Sequence, residues 1–276
     1  MALLLGSTSR FIRIKPGIVL KYANTYGKEG QEFEDERTVT RISNCFVVER
    51  QIYELLGKHP RIIEYLGYQD KPELPPGLLL AEASHGSLQQ YLDNHDTIPL
   101  PIQKKWCRQV VESIAYIHQQ GVIHSDLRPD NLLVHATATS LDLYLCDFGG
   151  STCEKLGLDG ESLPDSGFSD PNAEYVSTNT TDIFSVASIL YTILTGYWPY
   201  RSTKGFSTLD EWDAYMQMAD NLFKERTFPS DVHALWAGGI IFKGWMNEYA
   251  SIDDMLQALE TISGPENLTS TLDGHS

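Results

Sequence analysis

Short apolar runs alternate with turn signals along the first eighty or so residues. Leu3–Leu5 and Phe11–Ile14 are followed by a Lys15-Pro16-Gly17 turn and then by Ile18-Val19-Leu20-Lys21-Tyr22, the rhythm of a small antiparallel sheet. From Asn24 to Arg37 the chain is polar and acidic. Beyond it Cys45, Val48, Ile52, Leu55 and Leu56 recur at helical spacing, which predicts one helix with Ser43 or Asn44 as N-cap and Gly57 as its stop. Ile62–Gly67 and Leu78–Leu80, on either side of the Pro72–Gly77 turn region, read as two further strands. Five strands and one helix make a first lobe over residues 1–82.

Ala83-Ser84-His85-Gly86 reads as a connector, and from Ser87 the pattern turns mainly helical. Trp106, Val110, Ile114 and Ile117 share one face of a long helix that ends at Gly121, whereas Ile183–Leu194 is apolar nearly all round and predicts a helix buried in a core. The expected fold is therefore α+β: a small five-stranded antiparallel lobe with one helix, then a larger, mainly helical lobe over 83–262. Residues 263–276 are polar with no apolar period, and a loose tail is expected there.

Composition narrows the partners. A formal net charge of -16 repels nucleic acid and anionic membrane surfaces. The apolar run Ile183–Leu194 falls short of the roughly 20 residues a membrane-spanning helix needs. Cys45, Cys107, Cys146 and Cys153 show neither metal-ligand spacing nor the density of a disulfide framework. A cytoplasmic monomer that binds neither nucleic acid nor membrane is the expectation.

The chemistry is concentrated in His124-Ser125-Asp126-Leu127-Arg128-Pro129-Asp130-Asn131 and in Asp147-Phe148-Gly149, which closes the apolar segments Leu132–Val134 and Leu141–Cys146. Two carboxylates and an amide are thereby presented at strand ends. Phosphoryl transfer needs a metal cage for the phosphate oxygens, a cation beside them and a carboxylate for the incoming hydroxyl. Asp126 suits the last role and Arg128 the cation, while Asn131 and Asp147 offer hard oxygen ligands for Mg2+. A structural Asx turn in an acidic loop is the plainer alternative.

These stretches resemble the eukaryotic protein-kinase family, whose H-R-D-L-K-x-x-N and D-F-G motifs match His124–Asn131 and Asp147–Gly149. The resemblance runs from about residue 3 to 262. It implies that Lys21 holds the nucleotide phosphates and Glu49 braces it. Glu49 shares a helical face with Cys45, Ile52, Tyr53 and Leu56, an odd place for a carboxylate unless a cation meets it. It further implies ATP and Mg2+ as cofactors and a protein as acceptor, with Gly6, Ser7, Thr8, Val19, Leu80, Glu82, Ala83, Leu133 and Cys146 lining the nucleotide site. Leu80 takes the gatekeeper position, Asp182 braces the catalytic loop, and Phe148, His124, Tyr53 and Tyr65 stack into an internal spine. Pro129-Asp130-Asn131 is closer to the Ser/Thr branch than to the tyrosine branch. Gly57 before Lys58-His59-Pro60, together with Gly244-Trp245, is similar to compact kinase-like proteins of filamentous fungi.

Departures from the pattern keep alternatives open. The phosphate loop Gly6-Ser7-Thr8-Ser9-Arg10-Phe11 has one glycine where the family has three. Ser125 replaces the arginine that receives an activation-loop phosphate, so activity without that phosphorylation is expected. Arg128 stands where lysine is usual, a planar fork for a point charge. The nearest fragment to A-P-E is Asn172-Ala173-Glu174, eight residues before Asp182, which implies a shortened docking platform. The acidic run Glu154, Asp159, Glu161, Asp165 and Asp170 reads as a solvated loop or as an attractor of basic peptides. A pseudokinase scaffold and a small-molecule phosphotransferase are the competing readings.

Overall fold

The computed structural model describes residues 4–5, 9–24 and 36–264. Gly6, Ser7 and Thr8 and the stretch 265–276 lie outside the described residues.

Strands β1 (Leu4–Leu5), β2 (Ser9–Lys15), β3 (Ile18–Ala23), β4 (Tyr65–Gln69) and β5 (Gly77–Ala81) form one antiparallel sheet in the order β1-β2-β3-β5-β4. Gly17 takes φ +85° in the β2–β3 turn, a conformation that favours glycine. At the other end Gly77 lets β5 approach β3, since a Cβ there would lie 2.2 Å from the Lys21 carbonyl oxygen. The fourth strand starts later than its apolar run. Ile62 instead bridges Leu145 in parallel, while Ile63 N donates to Leu145 O and Leu145 N to Arg61 O. That stretch stitches the sheet lobe to the helical lobe.

Helix α1 (Glu36–Leu56) begins well before the caps expected at Ser43 or Asn44, which lie inside it. Its early turns bury one apolar side chain, Ile42, so no period betrays them; the later turns bury Val48, Glu49, Ile52, Tyr53 and Leu56. Packing of that face supports the whole helix. Gly57 stops it at φ +60°, its amide donating to Tyr53 O.

The connector after β5 is pinned: Ala136 N donates to Ser84 Oγ, His85 N to Val134 O and Val134 N to Gly86 O. Beyond it come α2 (Leu88–Asn94), α3 (Leu100–Gln119), the hairpin β6 (Leu132–Ala136) and β7 (Leu141–Leu145), and the short pair β8 (Thr152–Cys153) and β9 (Leu158–Asp159). Then follow α4 (Asn179–Thr195), α5 (Leu209–Lys224), α6 (Gly238–Trp245) and α7 (Ile252–Ser263). Every residue of α4 from Asp182 to Ile193 is buried, and Thr178 caps it reciprocally with Thr181. Each such apolar side chain contributes roughly 1.5–3 kcal/mol of burial. Ser263, expected in the tail, is the last residue of α7. Among the described residues no helix is long and apolar enough to cross a membrane.

Candidate active site

The buried face of α1 carries Glu49 toward β3, where Lys21 points inward from the sheet; both are almost fully buried. Lys21 Nζ lies 2.6 Å from Glu49 Oε2 and 2.7 Å from Asp147 Oδ1. One ammonium thus serves two carboxylates, and Glu49 Oε1 is buried without a hydrogen-bond partner. Burial pushes Glu49 up to about 7, with Lys21 opposing. Asp147 moves the other way: burial would raise it, but the ammonium holds it below the usual carboxylate range. Burial alone would lower Lys21, and the two carboxylates reverse this and raise it. A single cation neutralises one carboxylate, and Asp147 takes that share.

His124 and Ser125 are placed by Asp182 at the head of α4. Its Oδ2 accepts from His124 N at 2.8 Å and His118 Nε2 at 2.9 Å, and its Oδ1 accepts from Ser125 N at 3.0 Å. These bonds hold Ser125 at φ +68°, and Asp147 sits at φ +64° across the site. Left-handed conformations in non-glycine residues cost roughly 1–2 kcal/mol each, and they are tolerated where surrounding bonds fix them. Asn131 Nδ2 donates to the Asp126 carbonyl at 2.6 Å and to Asp126 Oδ2 at 3.1 Å, which spends the amide's donors on Asp126. Burial raises Asp126, opposed by Arg128 and His124.

The aromatic side chains connect these parts. Tyr53 meets the Phe148 ring edge-on at 5.1 Å and stacks on Tyr65 at 5.6 Å, and His124 lies 5.2 Å from Phe148. The spine expected from the sequence is thus assembled from both lobes.

Residues 28–235 match the sequence model of the protein kinase domain. The chain belongs to that family. A death-associated protein kinase related protein of Drosophila melanogaster is 31% identical over 150 residues, which cover 53% of this chain and 22% of that protein. The type 1 calcium/calmodulin-dependent protein kinase of Macrobrachium nipponense is 28% identical over 146 residues, 52% of this chain and 42% of that protein. The serine/threonine-protein kinase RAD53 of Saccharomyces cerevisiae is 30% identical over 184 residues, 59% of this chain and 22% of that protein. The chain spans less than half the length of these relatives. A crystal structure of the Rad53 kinase domain and SCD2 superposes with a TM-score of 0.59 at 20% identity, covering 90% of this chain and 87% of that one, and shares the fold.

Within the kinase domain the remaining expected residues are distributed as follows. Val19 and Leu80 are cross-strand partners on β3 and β5, Leu80 buried and Val19 half-buried. Leu133 on β6 and Cys146 just past β7 are half-buried against the core, and burial, then Asp147, pushes the Cys146 thiol well up, so it is a weak nucleophile. Ala83 lies in the connector. Glu82 is bonded to the β2–β3 turn: its amide donates to Gly17 O, and its carboxylate takes Arg13 at 2.8 Å and Gly17 N at 3.0 Å. Its polar groups hold the β2–β3 turn.

The segment after Gly149 departs from its sequence reading. Glu174 is exposed, and the anchoring carboxylate is Asp170, which is 8% exposed and accepts from Arg226 at 2.9 Å and Asn247 at 2.7 Å. Its other oxygen accepts from Asn172 N, an Asx turn that Asp170-Pro171-Asn172 signalled. Asp165 pairs with Arg128 at 2.6 Å. Two of the five acids read as a solvated run are therefore structural. Asn44 on α1 reaches the same segment, donating to Asp159 O at 2.8 Å.

Proposed function

We propose that the chain is an ATP-dependent protein kinase of the Ser/Thr type. The observation that carries the reading is the Lys21 ammonium held between Glu49 and Asp147, because a buried cation fixed at a strand centre beside an oxygen ligand is what a polyphosphate requires. Asp126 accepts the proton of the acceptor hydroxyl as its oxygen bonds to the γ-phosphorus. The bond from that phosphorus to the β,γ-bridging oxygen breaks, and its electron pair leaves with ADP. Arg128 supplies a cation beside the moving group. Val19, Leu80, Ala83, Leu133 and Cys146 surround the base, and backbone groups of the connector hydrogen-bond it.

Among the described residues no three His, Cys, Asp or Glu side chains converge as a metal cluster. Asn131 and Asp147 each offer an oxygen donor of the hard kind that magnesium takes, and they would hold the ion. When bound it neutralises phosphate charge. The segment after Gly149 is anchored by Asp170, Asp165 and Asn44, and Ser125 offers no cation to a phosphate, which supports turnover that needs no activating phosphorylation.

The test is transfer of labelled phosphate from ATP with Mg2+ to casein and histone, with Asp126→Asn as control and phosphoamino-acid analysis of the product. Phosphoserine or phosphothreonine made by the wild type alone is the expected result. Equal labelling by both forms would remove Asp126 from the mechanism. No transfer, with nucleotide affinity indifferent to Mg2+, would favour a scaffold.

A further inference from the structure

Arg128 is surrounded by three carboxylates, Asp126, Asp130 and Asp165, and bonds to the one farthest along the chain. Its backbone is fixed between fully buried Leu127 and buried Pro129. Asp165 is placed as firmly. Phe168 N donates to Asp165 O at 2.9 Å, Phe168 is fully buried edge-on against Trp198 at 5.0 Å, and Ser185 Oγ on α4 donates to Phe168 O at 2.6 Å. Gly167 between them takes φ +90°, and a Cβ there would lie 2.2 Å from the Tyr215 hydroxyl. A rigid element therefore presents the carboxylate to the guanidinium.

The consequence is directional. The Asp165 bond uses Nη1, while Arg128 Nε is buried without a hydrogen-bond partner. An unsatisfied buried donor is costly, and a fork held at one end keeps that donor ready for an incoming oxygen. Without its clamp the guanidinium has Asp126 as a neighbouring carboxylate, and a bidentate pair there would occupy the oxygens that must receive the acceptor hydroxyl. Lysine would present one compact ammonium where arginine presents donors separated across a planar fork.

Resting on the kinase reading above, we propose that Asp165 is a positioning residue for phosphoryl transfer: it holds the Arg128 fork off Asp126 and aimed at the transferred group. The clamp is specific to the combination of arginine in the catalytic loop and aspartate in the following segment, so the two act as one unit.

A double-mutant cycle on the full chain tests it, using Asp165→Asn, Arg128→Met and the pair. Turnover is measured with ATP, Mg2+ and casein or histone, whichever the wild type labels. Asp165→Asn is expected to lower kcat by ~10²-fold, the scale of a misplaced catalytic group, with KM for ATP changed less than about 3-fold. In the Arg128→Met background the same substitution should change kcat by less than about 2-fold. A loss of equal size in both backgrounds would make Asp165 merely a support for its segment and overturn the proposal. Asp165→Glu, which keeps the charge, should recover most of the rate; no recovery despite a wild-type melting temperature counts against the clamp. A second readout needs no turnover. In chain labelled with 15N-arginine, the Arg128 Nε–H resonance, assigned by its loss in Arg128→Met, should shift and exchange faster in Asp165→Asn. An unchanged resonance sinks the clamp, whereas a changed one in a chain that never transfers phosphate supports the clamp and leaves only the kinase reading refuted.

Discussion

Glu49 and Asp182 are both buried carboxylates at the heart of this molecule, and they are satisfied in opposite ways. Asp182 receives two backbone N–H groups and a histidine, so both oxygens are engaged by donors the fold itself fixes. Glu49 has one ammonium, shares it with Asp147, and keeps an oxygen unpartnered. The first arrangement stabilises a conformation; the second leaves the two carboxylates short of positive charge. Burial of a carboxylate therefore does not reveal its role, whereas the number and ownership of its donors does.

Four experiments press on that contrast. Lys21→Met removes the cation from the under-satisfied side. Transfer of labelled phosphate should fall by ~10²–10³-fold, the usual effect of deleting a charge-stabilising donor. Circular dichroism should still report a folded chain, because Glu49 takes up a proton. Asp182→Ala attacks the satisfied side and strands the His124 and Ser125 amides. Stability should drop by roughly 3 kcal/mol in urea unfolding; a shift under about 0.5 kcal/mol would mean the brace is dispensable.

The third experiment uses pH. The folded Glu49 carboxyl is raised to about 7 from 4.5, so the native state holds its proton more tightly than the unfolded chain does. That contribution is fully present below pH about 4.5 and is lost as pH rises through about 7. Lys21, raised, contributes evenly across this window, and Asp147, lowered, matters only at more acid pH. The difference in unfolding free energy between wild type and Glu49→Gln should therefore change by about 1–3 kcal/mol between pH 4.5 and 7. A flat difference would refute the raised Glu49 carboxyl. The smallest effect belongs to an acid outside both classes: Glu54→Ala, which breaks the exposed i,i+4 pair with Arg50, should cost no more than about 0.5 kcal/mol.

The site was legible in the chain where chemistry and periodicity coincide. Glu49 stood out because a carboxylate interrupted an apolar helical face, and Asp126, Asn131 and Asp147 because they stand at fixed spacing around apolar segments. The first turns of α1 were not legible, since they bury little and depend on later turns for support. Asp170 was masked by the letters of Asn172-Ala173-Glu174; its Asp-Pro-Asn turn was the available signal. The Arg128–Asp165 pair joins residues 37 apart through a loop, and no local pattern encodes such a contact.

Helix α1 is tied down in both halves. Tyr116 on α3 donates to Leu56 O, its ring stacks on His59 at 3.9 Å, and Arg61 pairs with Glu112 at 2.9 Å, while the opposite half touches the segment after Gly149 through Asn44. The helix thus spans two anchors, one in each half. At about 1.5 Å per residue, Glu49 lies between them, roughly 8 Å from Asn44 and roughly 10 Å from Leu56. A displacement of the segment that Asn44 holds would reach Lys21 through the helix and its glutamate, with no direct contact between that segment and the ammonium.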